Sequence, residues 1–371
     1  MRRAVCILLA LLTLLCLAGC GAERAQEPAG NGVVDSMALR YAENFAVDFY
    51  QGGAALLTIR DGQRFLLLPA EAGVPEGLET LPKIPIPAEN IYLASSSTVD
   101  LFLQAGAFDH ARFVSTKEGD WKIPEVREAM AEETLLYAGK YSAPDYELLL
   151  TEGCSCVIEN TMILHSPATK ERLEALGLPV LIEYSSYEPH PLGRVEWIRL
   201  WGLLTGHREE AEAFFQSQCD TFRSVEDQEK SGKTVAFFHL TPNGAVVVRR
   251  RADYVTRMIE LAGAETAITE LPEDDSALST VTIQMESFYA QARDADVLIY
   301  NSTVAGDVET MEQFLSLNPL LADFKAVKEG SVWCTEQSMF QRSSAAAGMI
   351  RDIRKAVSGD GEDLHYLHRI E

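Results

Sequence analysis

The chain has 371 residues, 47% of them hydrophobic and 23% charged, a globular composition that excludes intrinsic disorder and leaves room for about two domains of ordinary size. Its formal net charge is −23, from 55 acidic and 32 basic residues. So acidic a surface excludes nucleic acid as a partner, because phosphate binding runs on Lys and Arg.

In chain order, Arg2 and Arg3 precede an apolar run from Ala4 to Ala18 that only Thr13 interrupts. The run is too short for a membrane-spanning helix and suits the core of a signal peptide. It ends in Leu17-Ala18-Gly19-Cys20, which resembles a lipobox. That resemblance implies a signal peptide over 1–19, lipid on Cys20, a polar tether over 20–32 and a place on the outer face of the cell membrane. The alternative is an ordinary signal peptide cut nearby, with Cys20 incidental. No second stretch approaches a membrane span. Cys154, Cys156, Cys219 and Cys334 show neither zinc spacing nor a disulfide framework, so buried thiols are expected.

After the tether, Phe45, Val47 and Phe49 alternate with other residues, and Asp61-Gly62 separates two apolar runs, Ala54 to Ile59 and Phe65 to Leu68. This pattern predicts a β-hairpin. A connector rich in proline (Pro69, Pro75, Pro82, Pro85, Pro87) follows. From Ile91 the texture becomes alternating strand and helix, which implies parallel sheet. Strands are expected at Ile91 to Ala94, Phe113-Val114, Cys156 to Ile158 and Pro179 to Glu183. Pro167 opens a helix that Gly177 closes. The reading gives an N-terminal α/β lobe over 33–187, a helical bridge over 188–230 and a C-terminal α/β lobe over 231–371. In the bridge, apolar residues recur at Val195, Ile198, Trp201 and Leu204, then at Ala211, Phe214 and Phe215. Gly206 interrupts them, so a kinked pair of helices competes with one long rod. The last lobe reads as strands at Thr234 to Leu240, Ala245 to Val248, Val297 to Tyr300 and Ser331 to Cys334, with helices between.

Five stretches then resemble one known family. Pro144-Asp145-Tyr146-Glu147-Leu148-Leu149 resembles its helix before the second strand, and Leu176-Gly177-Leu178-Pro179-Val180 its "LGIPV". Leu203-Leu204-Thr205-Gly206, with Glu209, Glu210 and Ala211, resembles "LTG…EA". Ile259 to Ala264 resembles "LELAGA", and Ala326 to Val332 "AVKxGxV". In this order over residues 90 to 371, they resemble the substrate-binding lipoproteins of ABC importers for iron-siderophore complexes, cobalamin and heme. The resemblance implies an α/β fold: two lobes with mainly parallel central sheets flanked by helices and joined by one long bridging helix. The hairpin before the first lobe strand departs from the family pattern. Further implications are capture of a ferric siderophore, with cobalamin or heme as the alternative, and no resident cofactor or metal. The partners implied are a permease with its ATPase, reached by a monomer held at the membrane through lipid alone. One glutamate per lobe, Glu147 and Glu286 by motif position, is expected to meet the permease.

Ligand residues are expected on loops at the carboxyl ends of strands. Tyr184, Ser185, Ser186 and Tyr187 offer stacking surface and hydrogen bonds before the bridge, with Glu188 and His190 beside them. Arg249, Arg250 and Arg251, with Tyr254 and Arg257 beyond, offer cations to an anionic chelate. Met339, Phe340 and Arg342 follow the last strand, Asn301 to Thr303 ends another, and Asn160, Met162 and His165 follow a strand of the first lobe. The Ser95 to Thr98 cluster sits where the family's first binding loop lies. No G-x-S-x-G, H-E-x-x-H or P-loop is present, so an enzyme is not expected. A surface hydrolase and a purely adhesive lipoprotein are the remaining classes.

Overall fold

The structure, a computed structural model, describes residues 32–271 and 279–371. The signal-like segment with Cys20 and the acidic run Glu273 to Asp275 lie outside the described residues.

The Asp61-Gly62 turn does join two antiparallel strands, β3 (Ala55–Ile59) and β4 (Arg64–Pro69). Gly62 takes φ 89°, and the Gln63 N–H donates to the Asp61 carboxylate at 3.0 Å. The hairpin is, however, the middle of a five-stranded sheet completed by β1 (Val33–Ser36), β2 (Phe45–Tyr50) and β5 (Lys83–Ile86). Proline hid β5 from the sequence reading. Pro85 is tolerated because β5 is an edge strand, where a missing N–H breaks no ladder.

The first lobe is a five-stranded, fully parallel sheet in the order β12-β11-β6-β7-β8. Its strands are β6 (Ile91–Leu93), β7 (Ala111–Val114), β8 (Leu136–Tyr137), β11 (Val157–Asn160) and β12 (Val180–Glu183). A small hairpin, β9 (Gly139–Lys140) with β10 (Ala143–Pro144), hangs beside it. Helices α1 (Ser96–Gln104), α2 (Pro124–Ala131), α3 (Tyr146–Thr151) and α4 (Pro167–Ala175) make the crossovers.

The bridge is not one rod. It is three helices: α5 (Pro191–Glu196), α6 (Ile198–Thr205) and α7 (Arg208–Glu226). Gly206 ends α6 with φ 86°, a left-handed cap that folds α7 back against α6. Two buried carboxylates fasten residues 40–44 onto these helices. Glu196 accepts the N–H groups of Arg40, Tyr41 and Ala42, at 2.9, 2.7 and 2.8 Å. Glu188 accepts those of Glu43 and Asn44, together with the indole of Trp197.

The second lobe is a mixed seven-stranded sheet. Parallel β13 (Thr234–Leu240), β17 (Val297–Tyr300) and β18 (Val332–Thr335) form its centre; β14 (Val246–Arg249) pairs antiparallel with β13, β16 (Thr280–Ile283) antiparallel with β14, and β19 (Leu367–Arg369) antiparallel with β18. A short strand, β15 (Glu265–Thr266), pairs with β13. Its helices include α8 (Tyr254–Leu261), α9 (Met285–Ala292), α10 (Ser302–Ala305), α11 (Met311–Leu317), α12 (Lys325–Lys328) and α13 (Ala346–Ser358), the last packed on α7. One apolar cluster runs unbroken from Phe45 through Trp197, Trp201 and Phe215 to Ile350, so sheet, bridge and both lobes share a core. Among the described residues the four cysteines are buried and unpaired with one another, and no helix is long and apolar enough to cross a membrane.

Candidate functional site

Between the lobes lies a cavity of ≈ 90 Å³ whose lining includes Ser97, Arg194, Tyr254, Met339, Phe340 and Arg342. Ser97 follows the carboxyl end of β6, and Met339 to Arg342 follow that of β18. This is where open α/β sheets place ligands, because loops there converge from several strands. Met258 and Met349 add thioether walls.

The electrostatics are cationic at the rim. The Arg194 guanidinium lies over the Tyr254 ring at 3.9 Å and donates to the Ser186 carbonyl at 2.7 Å. Arg249 lies over Phe340 at 4.4 Å and pairs with Asp253 at 3.6 Å. Burial pushes the Tyr254 hydroxyl up to about 12, so it is a neutral donor at physiological pH.

The lobes are held shut across this cavity. Asp100, wholly buried on α1, accepts the N–H of Ser344 at 2.7 Å and its hydroxyl at 3.0 Å, with Arg342 at 3.8 Å. Burial raises the Asp100 carboxyl to about 6 in spite of these bonds. Gln341 reaches across as well, accepting from the Lys122 N–H at 2.8 Å and donating to the Asp120 carbonyl at 2.9 Å. Small-molecule sites usually enclose about 300–1,000 Å³. A bulky ligand therefore requires these bonds to part.

Of the residues singled out in the sequence, Ser97, Tyr254, Met339, Phe340 and Arg342 line the cavity. Arg249 stands behind Phe340; the Arg250 backbone is bonded on both sides, its carbonyl accepting from the Thr256 hydroxyl and its N–H donating to the Ser279 carbonyl; Arg251 is exposed. The Tyr184 to Tyr187 loop is not brought to the cavity. Tyr184 is buried, with its hydroxyl on Asp61 at 3.1 Å, and Ser185 is buried with its N–H on Glu183. Ser186 is exposed and contributes its carbonyl to Arg194, while Tyr187 packs toward Arg60 and Tyr184. The cause is the N-terminal sheet, whose docked Asp61 and Arg60 capture that loop.

His190 stacks on Tyr41 at 4.6 Å and accepts the Leu192 N–H; burial, with help from Arg257, lowers its pKa to about 4, so it is a neutral cap. His165 is exposed; Asn160 caps its own turn at Met162, and Asn301 at Thr303. Arg257 pairs with Glu260 on the surface. Glu147 and Glu286 are exposed in the first turns of α3 and α9. Sequence reasoning missed Arg194, Met258, Asp100 and Ser344. Asp100 carried one signal, a lone acid among the apolar residues of α1.

A family model described as "Periplasmic binding protein" matches residues 93–338. Two curated relatives, both named uncharacterized lipoproteins of Methanocaldococcus jannaschii, are 25% and 22% identical; they align with 90% and 82% of this chain and 87% and 77% of their own lengths. Among solved structures, the petrobactin-binding protein YclQ of Bacillus subtilis superposes with TM-score 0.60 at 10% identity, covering 82% of this chain and 98% of that one. The periplasmic heme-binding protein HutB of Vibrio cholerae gives 0.57 at 17%, covering 73% and 98%. The vitamin B12-binding protein BtuF of the same organism gives 0.51 at 13%, covering 75% and 99%. At these identities the likeness is one of fold.

Proposed function

The chain belongs to the periplasmic binding protein family, and we propose that it is the solute-binding lipoprotein of an ABC importer, capturing a ferric chelate and handing it to a membrane permease. The observation that carries the ligand class is the set of guanidinium groups, Arg194, Arg249 and Arg342, at an aromatic and thioether cavity in a chain of net charge −23. Planar, multi-donor cations suit carboxylate or catecholate oxygens, and the aromatic walls suit the chelator's rings. Ligand entry separates Ser344 and Gln341 from the first lobe.

The test is titration of the purified chain with a ferric catecholate, a ferric hydroxamate, cobalamin and hemin, read by absorbance and native mass spectrometry. Saturable 1:1 binding of a ferric chelate is expected. Arg194→Ala and Arg342→Ala should each weaken it about 10- to 100-fold, matching roughly 1.5–3 kcal/mol per charge-assisted contact. Exposed Arg251→Ala should leave it unchanged. Failure of every chelate, or indifference to both cavity arginines, sinks the reading.

Heme is the second reading, favoured by Tyr254 and by the thioethers of Met258, Met339 and Met349 around one cavity, since tyrosine and methionine are both axial ligands of heme iron. A Soret shift on hemin binding that Tyr254→Phe or Met339→Leu abolishes would select it. Anchoring through lipid on Cys20 belongs to the same proposal. Cys20→Ser should leave the membrane fraction or retain its signal, and a processed, acylated Cys20→Ser species would refute the anchor.

A further inference from the structure

Away from the cavity, at the far end of α1, two histidines meet. His110 closes the 3-10 turn Phe108–His110 just after α1, and His207 caps the start of α7. The nine residues of α1 span about 13 Å, and its first turn holds the cavity residue Ser97. The rings stand edge to face with centroids 5.1 Å apart. Gly206, in its left-handed conformation, turns the chain so that His207 faces back toward the first lobe.

The hydrogen bonds fix which nitrogen of each ring is free. His110 Nδ1 lies 2.8 Å from the Ala88 carbonyl and 3.2 Å from the Glu89 carboxylate, both acceptors only, so Nδ1 carries the proton. His207 Nδ1 likewise donates to the Thr205 carbonyl at 3.2 Å. In the neutral ring each Nε2 then carries the lone pair, and among the described residues neither Nε2 has a hydrogen-bond partner. Beside them is the exposed carboxylate of Asp109, and one ligand atom from each of the three residues lies within 4.8 Å of the other two. Backbone carbonyls or a carboxylate on the far ring nitrogen are the outer shell that orients metal-binding imidazoles.

We infer that Asp109, His110 and His207 form a site for a divalent transition-metal ion of the zinc class, separate from the interlobe cavity. Two imidazoles and one carboxylate make a borderline donor set suited to Zn²⁺ over Mg²⁺ or Ca²⁺, with a fourth position left for water. The ion ties the α6–α7 turn to the first lobe at a point where the Ala88 N–H already bonds the Leu204 carbonyl at 2.9 Å. A second cluster, Asp307, Cys334 and His368, is less suited. There His368 Nε2 is engaged by the Val308 carbonyl at 3.1 Å, and burial pushes the Cys334 thiol up to about 12.

The test is calorimetric titration of the chelator-stripped full chain with Zn²⁺, with Co²⁺ absorption reporting the donor atoms. One Zn²⁺ per chain is expected, with no competition from Mg²⁺ or Ca²⁺. Co²⁺ should show ligand-field bands without sulfur charge transfer. His207→Gln should weaken binding at least about 100-fold, while Glu89→Gln, a positioning change, should weaken it roughly tenfold. Exposed Asp109→Asn tests the carboxylate without risk to the fold and should also weaken binding. Absence of saturable Zn²⁺ binding, full binding by His207→Gln and Asp109→Asn, or loss of binding in Cys334→Ser would each overturn the assignment.

Discussion

Glu159 lies in β11, wholly buried, and neither carboxylate oxygen has a hydrogen-bond partner. Desolvation raises its pKa to about 9, so the folded protein holds it neutral at pH 7. Between the unfolded value near 4.5 and about 9, the native state keeps a proton that the unfolded chain has lost, so this group's contribution to stability falls as pH rises through that window. Glu159→Gln, neutral at every pH, should flatten that slope and be more stable than the parent at pH 8. Parallel urea-midpoint curves for the two proteins from pH 5 to 8 would refute the assignment. The strand read from the sequence stopped at Ile158, and nothing there signalled that the next residue, an acid, would be sealed from water.

The bridge shows how one glycine sets the packing of two elements. A Cβ on Gly202 would lie 2.5 Å from the Ala211 Cβ and 2.7 Å from the His207 carbonyl oxygen, so α6 and α7 touch at backbone distance. In an open helix Gly→Ala would stabilise by about 1 kcal/mol. Here overpacking against backbone wins, and Gly202→Ala should lose roughly 1–3 kcal/mol, read as a lower urea midpoint. A raised midpoint would mean that the helices can spread. At this scale the sequence was legible wherever local pattern sufficed. The Asp61-Gly62 turn, the apolar β13 and the Gly206 break were readable because each depends on its neighbours in the chain. The edge strand β5 was not, because of its Pro85, and neither were the short β15, β16 and β19, whose pairing partners lie far off in sequence.

At the scale of the whole molecule, Glu147 and Glu286 occupy equivalent exposed positions, each in the first turn of a short helix preceding a buried strand, one per lobe. The family resemblance implies that each meets the permease, where cations would be their partners. Each exposed pair contributes only about 0–1 kcal/mol, yet two of them on separate lobes fix orientation and speed encounter. The Glu147→Arg, Glu286→Arg double variant should therefore lose uptake while keeping ligand affinity and melting temperature. Normal transport by that variant would remove both residues from the interface.

Local chemistry encodes what was legible in the sequence: two α/β lobes, the helical bridge between them, and the family likeness carried by five short stretches. The tertiary structure decided what depends on groups brought together over long separations. It turned the Tyr184 to Tyr187 loop onto Asp61 and Arg60, and placed Arg194 over Tyr254 instead. It closed the lobes through Asp100 and Ser344, and set His110 against His207. Strand and helix periods report which face of an element is buried, but not which distant element buries it. Contacts between side chains far apart in the chain are therefore fixed only when the shared core assembles.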